Sequence, residues 1–181
     1  ERRRFIDLEL AQLDKLYLSD LSNYNRIINQ RNKLLKDVYN RNDLLETLEI
    51  WDLQLIQYGN KIIERRKKFI GQVNDIISEV HKKLTGGKEE LKLYYEPGIG
   101  NLEFEKALLK NRERDIRMKS TSVGPHRDDI CFMTNDLDIR KFGSQGQQRT
   151  AALSLKLSEI ELVKEIIKDT PILLLDDVLS E

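Results

Sequence analysis

The sequence is poor in the residues that crosslink a chain or anchor it in a membrane. Its single cysteine, Cys131, excludes an internal disulfide and favours a reducing, cytoplasmic setting. No apolar run approaches the length of a membrane span, and no signal peptide is visible. The net charge is zero, with 31 basic and 31 acidic residues. Any surface that binds nucleic acid therefore has to be a local patch.

The sequence also lacks a P-loop, the phosphate-binding motif G-x-x-x-x-G-K-[ST]. The nearest candidate, Gly86-Gly87-Lys88, lacks the first glycine and has Glu89 in place of the hydroxyl residue. The backbone N–H groups that grip a triphosphate are therefore not expected here. We expect the chain by itself to bind ATP weakly and to hydrolyse none. One cysteine and two histidines in separate segments are also too few for a zinc site.

The first half of the chain has the pattern of two long helices. Charged residues make up 34% of the sequence, which favours solvated helices. Over residues 5–39, apolar residues recur three or four apart with no proline or glycine, which predicts one helix. A polar turn at residues 40–43 precedes a second helix over residues 44–84, so we predict an antiparallel hairpin. We assign residues 1–86 to a helical hairpin arm and residues 87–181 to a second domain.

The apolar series of the second helix marks the face that we expect to be buried. Its period of about 3.5 is typical of coiled-coil packing. Trp51 and Tyr58 belong to this series, so we assign them to packing and not to base stacking, and Arg65 interrupts the series as a polar step. The members are Leu44, Leu48, Trp51, Leu55, Tyr58, Ile62, Phe69, Val73, Ile76, Val80 and Leu84.

A basic run lies on the second half of the same helix. Such a patch can neutralise DNA phosphates and give salt-sensitive binding that is independent of sequence. A solvated helix face has the same composition, and both interpretations stay open. The candidate DNA-binding residues are Lys61, Arg65, Arg66, Lys67 and Lys68.

The middle of the chain changes character. Alternating apolar residues predict a strand over residues 88–96, and Asn101 is a candidate cap for a helix over residues 102–118. We predict a strand over residues 121–125 and a hairpin around Asn135-Asp136.

Four polar residues of three types lie between these last two elements. They are His126, Arg127, Asp128 and Asp129. This composition fits acid–base catalysis by His126, and it fits a structural turn held by ion pairs equally well.

A polar turn and a long helix follow. Ser144 precedes a helical pattern over residues 146–168, and Gln147 is placed to complete a capping box with it. The free N–H groups at such a helix start favour phosphate. The apolar stripe that we expect to be buried comprises Ala151, Ala152, Leu155, Leu162, Val163, Ile166 and Ile167, widened by Leu153, Leu157 and Ile160.

Near the end of the sequence an apolar run is followed by two acids. Pro171 cannot extend the preceding helix, and residues 172–175 suit a strand buried on both faces of a parallel sheet. Asp176 and Asp177 follow, where α/β sheets bind their ligands. One acid there can hold Mg²⁺, and the next can orient or deprotonate a water. An ordinary polar turn after a strand has the same composition.

These motifs resemble those of a known family. Ser-Gln-Gly-Gln-Gln-Arg-Thr at residues 144–150 and Ile-Leu-Leu-Leu-Asp-Asp-Val-Leu-Ser-Glu at residues 172–181 resemble the signature and Walker B motifs of ABC-type ATPases. Within that group the sequence most resembles the RecF family of bacterial recombination mediators, related to SMC-type ATPases. Residues 122–129 resemble its Gly-Pro-His-Arg-Asp-Asp stretch, and residues 3–7 resemble its Arg-Arg-X-Phe-Leu-Asp stretch.

The resemblance implies a fold class, cofactors and site residues. The fold would be α/β, mostly α, with a long antiparallel helical hairpin arm joined to part of an ABC-type ATPase head. The cofactors of a full-length protein would be ATP and Mg²⁺, with Asp176 binding the metal and Asp176 and Asp177 acting in catalysis. The residues facing the γ-phosphate of ATP held by a second copy would be Ser144, Gln145, Gly146 and Gln147.

The resemblance also implies a function. It would be that of an ATP-dependent mediator of DNA replication, recombinational repair and the SOS response, with weak ATPase activity. ATP would close a head-to-tail homodimer on DNA, either double-stranded or at a junction with single strands, and the partners would be RecR and possibly RecO. The alternative is a structural coiled-coil module that docks a recombination partner such as RecR.

Overall fold

A computed structural model describes residues 2–38, 44–99 and 103–168. The predicted strand over residues 172–175, with Pro171, Asp176 and Asp177, lies outside the described residues. The elements are α1 (Arg2–Leu13), α2 (Lys15–Val38), α3 (Leu45–Leu84), β1 (Leu91–Glu96), α4 (Phe104–Met118), β2 (Asp129–Thr134), β3 (Leu137–Asp138), α5 (Ile139–Phe142) and α6 (Gln145–Ile167), with a 3₁₀ turn at Pro125–Arg127.

The chain divides into two compact units that interleave along the sequence. Unit 1 comprises Glu1–Gly71 and Tyr94–Cys131, and unit 2 comprises Gln72–Leu93 and Phe132–Glu181. The expected division into an arm and a head portion at residue 86 stays a prediction. None of the described helices combines the length and apolar character needed to cross a membrane.

α2 and α3 form the predicted antiparallel hairpin. Arg65 on α3 lies 2.5 Å from Asp20 near the start of α2. Asp52, earlier on α3, lies 2.6 Å from Arg31, later on α2. Residue numbers therefore rise along one helix where they fall along the other, which confirms the hairpin in unit 1.

The prediction of one unbroken helix over residues 5–39 is wrong at Asp14. The Asp14 carboxylate accepts hydrogen bonds from the N–H groups of Leu16, at 2.8 Å, and Tyr17, at 3.1 Å. Asp14 thus caps the start of α2, a role that aspartate fills well. The apolar spacing continues across the break, so periodicity alone does not reveal it.

The structure confirms the predicted buried face of α3 only in part. The series members Leu48, Leu55, Ile62 and Phe69 are buried. The members between them, Trp51 and Tyr58, and Arg65 at the polar step are only partly buried. The residues that follow these three are buried instead: Asp52, Gly59 and Arg66. These three residues recur every seven positions, and each receives a group from another segment of unit 1.

Gly59 receives an aromatic ring. A Cβ at Gly59 would lie 2.3 Å from the ring of Phe104, which is buried at the start of α4. Hydrogen is therefore the largest side chain that this contact admits. α4 confirms the predicted helix but begins at Phe104, and Glu103 before it makes no side-chain cap bond. Asn101, the expected cap, lies outside the described residues.

The strands form one sheet in the order β1-β2-β3. β2 and β3 are antiparallel, with Met133 opposite Asp138. The turn between them uses Asn135 at φ 47° and Asp136 at φ 64°, the left-handed conformation of a type I′ hairpin. Both this hairpin and the predicted strand at β1 are confirmed.

The predicted strand over residues 121–125 does not form. Gly124 has φ 125°, outside the conformations of a strand, and Pro125 starts the 3₁₀ turn. The N–H groups of Thr121 and Ser122 donate to side chains rather than to a neighbouring strand. Their acceptors are Asn32 Oδ1, at 2.8 Å, and Asp115 Oδ1, at 2.9 Å.

The buried face of α6 is more polar than predicted. Ala151, Leu155 and Leu162 are buried as expected, whereas Ala152, Ile166 and Ile167 are exposed. Two serines and one glutamate occupy the rest of the buried face: Ser154, Ser158 and Glu159. The serine hydroxyls donate to carbonyls one turn earlier, at 2.8 and 2.7 Å, so their burial leaves no donor unpaired.

Substituting Gly59 tests its contact with Phe104. We expect Gly59→Ala to lower the free energy of unfolding by about 1–3 kcal/mol, because the added methyl group has no room. Gly71→Ala on the same helix is the matched control, since a Cβ there meets nothing within 4 Å. The control should gain up to about 1 kcal/mol from helix propensity. Equal effects in urea titrations would contradict the packing described here.

Candidate functional site

The signature turn, residues 143–147, has the predicted capping box. Ser144 Oγ accepts from the Gln147 N–H at 3.2 Å, and Gln147 Oε1 accepts from the Ser144 N–H at 2.9 Å. The sequence found this feature because both partners lie within one helical turn. The box fixes the direction in which α6 starts.

The start of α6 is open to solvent. Ser144, Gln145 and Gly146 are exposed, and the N–H groups of Gln145 and Gly146 precede the first helical hydrogen bond. A Cβ at Gly146 would approach nothing closer than Ser144 Oγ at 3.9 Å. Gly143 differs, because a Cβ there would lie 2.5 Å from Ile139. Gly143 thus lets the turn pack on α5, and Gly146 leaves the backbone accessible to an anion.

The paired acids expected to complete a nucleotide site are Asp176 and Asp177, which lie outside the described residues. Their metal-binding and catalytic roles stay predictions. Within residues 2–38, 44–99 and 103–168, no group of three or more His, Cys, Asp or Glu side chains is placed to hold a metal ion.

Arg66 lies at the centre of a buried cluster in unit 1. Its guanidinium lies 2.7 Å from Asp7 and 2.7 Å from Asp128, and it donates to the Pro125 carbonyl at 2.7 Å and to the Tyr17 hydroxyl at 3.0 Å. Its side chain is 1% exposed. Burial opposes the charge, but the phenol and the two carboxylates raise the pKa of Arg66 above its usual value. These residues form the Arg66 cluster.

Asp128 is fully engaged within this cluster. One of its carboxylate oxygens accepts from Arg66 and from the Tyr95 hydroxyl, and the other accepts from the Gly98 N–H at 2.7 Å. Burial and the neighbouring Asp128 carboxylate raise the pKa of Tyr95, so this phenol stays protonated and keeps donating. Asp128 therefore anchors the turn after β1 as well as α3.

The Arg66 cluster changes the interpretation of the basic run. Arg66 was a candidate DNA-binding residue, but a phosphate could reach it only if the cluster opened. Arg65 is also held within the chain, 3.2 Å from Asp14 and 2.5 Å from Asp20. The exposed members are Lys61, Lys67 and Lys68. DNA contact by these lysines stays a prediction.

His126 has the geometry of a structural residue. Its Nδ1 lies 2.7 Å from the Tyr24 hydroxyl, and its Nε2 lies 3.1 Å from the Thr121 carbonyl. A neutral ring with its proton on Nε2 satisfies both contacts. Burial lowers the pKa of His126 to about 4, with the nearby Arg127 and Arg3 adding to the effect. The geometry therefore favours the structural turn over acid–base catalysis.

A cavity of about 300 Å³ lies between α1, α2 and this turn. Arg3, Arg4, Asp7 and Arg66 are its charged lining residues. Asp7 is paired with Arg66, and Arg3 donates to the His126 carbonyl. Arg3 and Arg66 thus bind groups of their own chain.

A second buried arginine was missed from the sequence. Arg31 has no solvent exposure and lies 2.6 Å from Asp52, 2.8 Å from Asp115 and 2.9 Å from the Thr121 hydroxyl. Arg112 adds a contact to Asp52 at 2.9 Å. The signal was the spacing of Arg31 from its apolar neighbours on α2, which places it on the buried face. We call these residues the Arg31 cluster.

The pKa of His126 predicts how stability depends on pH. Because its pKa is about 4 when folded and about 6.5 when unfolded, the unfolded chain binds the proton more readily between these values. The stabilisation is complete above pH 6.5 and is lost as the pH falls towards 4, by about 3 kcal/mol.

His126→Gln should remove this part of the pH dependence, because glutamine keeps polar groups but does not titrate. Urea unfolding at pH 7 and pH 4 gives the loss of unfolding free energy between these pH values for each protein. The carboxylates contribute equally to both proteins, so the difference between the two losses is the contribution of His126. An unchanged pH dependence in the variant would show that His126 titrates alike in both states.

Comparison with known proteins gives matches along the whole chain. The chain is 60% identical over 181 residues to the DNA replication and repair protein RecF of Agathobacter rectalis, covering 100% of this chain and 50% of that protein. It is 61% identical over 183 residues to the protein of the same name from Lachnospira eligens, with the same coverage. The chain thus spans about half the length of the curated relatives that it matches. No family model matches it.

A solved structure agrees with the sequence relatives. The structure of the recombination mediator protein RecF with ATP, in the RecFOR pathway, matches at a TM-score of 0.92 and 37% identity. The match covers 99% of this chain and 50% of that one. This confirms the expected fold class, mostly α with a small sheet, as part of a RecF head and its helical arm. By sequence and by structure, the chain belongs to the RecF family.

Proposed function

We propose that the chain supplies the signature-motif part of an ATP-dependent mediator of DNA replication and recombinational repair. The observation that supports this most is the exposed, capped start of α6. There Ser144, Gln145 and Gly146 present a hydroxyl and unpaired backbone N–H groups to solvent. In the RecF–ATP structure that the chain matches, ATP is bound to a protein with this fold.

The donors in the turn fit a phosphate group. Ser144 Oγ accepts from Gln147, so its own proton is free to be donated outward. The helix dipole adds positive potential at the same place. ATP supplies an anionic γ-phosphate that such donors can bind, and Asp176 would hold Mg²⁺. In this proposal the turn of one copy contacts ATP held by another, so ATP closes a homodimer with weak ATPase activity.

DNA is the proposed macromolecular ligand, either double-stranded or at a junction with single strands. The exposed lysines of α3, Lys61, Lys67 and Lys68, would contact its phosphates. RecR, and possibly RecO, would be the protein partners, and the SOS response would be one setting.

A structural module that docks RecR through the hairpin is the second candidate. Leu16 and Leu18 at the start of α2 and, at the other end of the hairpin, Ile50 and Leu53 on α3 are all more than half exposed, so each end offers apolar side chains to a protein partner.

Substituting Ser144 tests the role of the signature turn. Ser144→Asp keeps a good helix cap but places a negative charge against the γ-phosphate. In a RecF-family protein of full family length carrying this sequence, we expect it to abolish ATP-dependent dimerisation, measured by light scattering. Ser144→Ala should weaken it, and Glu161→Ala, on the exposed side of α6, should leave it unchanged. Retained dimerisation in Ser144→Asp would refute the proposal.

Charge reversal on α3 separates the two candidate functions. We expect the double variant Lys67→Glu, Lys68→Glu to weaken DNA binding at least tenfold and to reduce its salt dependence, because phosphate contacts are lost. The double variant Lys33→Glu, Lys36→Glu changes the net charge equally on exposed positions of α2. Lost DNA binding with intact RecR binding in the α3 variant alone supports the proposal, and the converse favours the docking module.

A further inference from the structure

Behind the signature turn, a series of hydrogen bonds in unit 2 joins α6 to the end of α3. Gln147 Oε1 accepts from the Ser144 N–H, and Gln147 Nε2 donates to Glu89 Oε1 at 2.9 Å. The other Glu89 oxygen lies 3.4 Å from Nε2 of His81. His81 is fully buried, and its Nδ1 lies 2.8 Å from Ser154 Oγ on α6. Glu89 thus engages the signature turn with one oxygen and α3 with the other.

Two glycines after α3 reverse the direction of the chain, which brings Glu89 next to His81. Gly86 has φ 64° and Gly87 has φ 79°, a conformation that favours glycine. The Gly87 N–H donates to a carbonyl in the last turn of α3 at 2.7 Å. The chain therefore doubles back along the helix end, and the carboxylate lies beside the imidazole. The Gly-Gly-Lys stretch that superficially resembled a P-loop is a helix stop.

These contacts leave Gln147 one orientation. Its amide oxygen is held by the Ser144 N–H and its amide nitrogen by a carboxylate, so rotation of the amide would break both bonds. A hydrogen bond to a charged acceptor is among the stronger ones in proteins. The Glu89 side chain is 22% exposed, so water competes only in part.

We infer that Glu89 is a positioning residue for the signature turn. Its carboxylate holds Gln147, and through Gln147 the Ser144 N–H and the first N–H groups of α6, in the orientation that receives a phosphate. Glu89 itself lies behind the turn and acts through Gln147. The phosphate-binding part rests on the proposed function, whereas the hold on Gln147 does not.

The first measurement needs no nucleotide. In Glu89→Ala we expect the amide protons of Ser144 and Gln147 to exchange with solvent about tenfold faster, the equivalent of one hydrogen bond to a charged group. Glu89→Gln keeps an acceptor for Gln147 and should show a smaller change, and it serves if the alanine variant does not fold. Glu79→Ala, an exposed glutamate on α3, is the control and should change nothing at the turn.

The second measurement uses ATP and a RecF-family protein of full family length carrying this sequence. Glu89→Ala should raise the ATP concentration for half-maximal dimerisation about tenfold, the same single-bond effect. When Gln147→Ala is already present, adding Glu89→Ala should not raise this ATP concentration further, because Glu89 acts through Gln147.

The outcomes separate this inference from the proposed function. Unchanged amide exchange in Glu89→Ala overturns the inference, whatever ATP does. Faster exchange with unchanged dimerisation, in a protein whose dimerisation Ser144→Asp abolishes, also overturns it. If neither Glu89→Ala nor Ser144→Asp alters dimerisation while exchange is faster, the proposed function fails and the hold of Glu89 on Gln147 stands.

Discussion

Two buried arginines, Arg31 and Arg66, hold unit 1 together. A guanidinium taken out of water costs several kcal/mol unless carboxylates and hydrogen bonds compensate it. Their compensating carboxylates are Asp7, Asp52, Asp115 and Asp128. These acids come from α1, α3, α4 and the turn before β2, so every one of those segments is fixed to a charge that cannot be left unpaired. Because hydrogen bonds between a guanidinium and a carboxylate are directional, such a cluster constrains how the segments are oriented.

The arginine clusters give physical roles to the Gly-Pro-His-Arg-Asp-Asp stretch. Gly124 lies so close to Tyr24 that a Cβ would fall 2.6 Å from its hydroxyl. The Pro125 carbonyl and the Asp128 carboxylate both bind Arg66, and neutral His126 links Tyr24 to the Thr121 carbonyl. This stretch is therefore held by hydrogen bonds that involve side chains, and not by the backbone hydrogen bonds that join neighbouring strands. In this chain the motif that characterises the resemblance forms a structural joint between segments of unit 1.

The features that the sequence predicted correctly depend on residues that lie close together along the chain. Apolar spacing revealed the long helices, and the capping box at Ser144 revealed the start of α6. Spacing assigned buried faces to apolar residues alone, so it missed Arg31 and Arg66, although both stand at the right interval among buried neighbours. Asp14 was missed because a helix cap inside a continuous apolar pattern looks like a surface acid.

The contact between Glu89 and Gln147 could not be predicted, because its partners lie 58 residues apart and no local pattern joins them. The same holds for Asp128 and Arg66, which lie 62 residues apart. Local hydrogen bonds can be read from spacing, whereas these pairs exist only once the helices have packed.

The central claim is that side-chain acceptors on α2 and α4 and the Asp128 carboxylate, and not a strand ladder, hold the segment that contains the family motif and the turn after β1. Native-state hydrogen exchange of the Gly98, Thr121 and Ser122 amides measures this directly, because all three donate to side-chain oxygens. These amides should exchange as slowly as those in the buried part of α3, through an opening that approaches global unfolding. Exchange at the rate of an exposed loop, with α3 still protected, would contradict the claim.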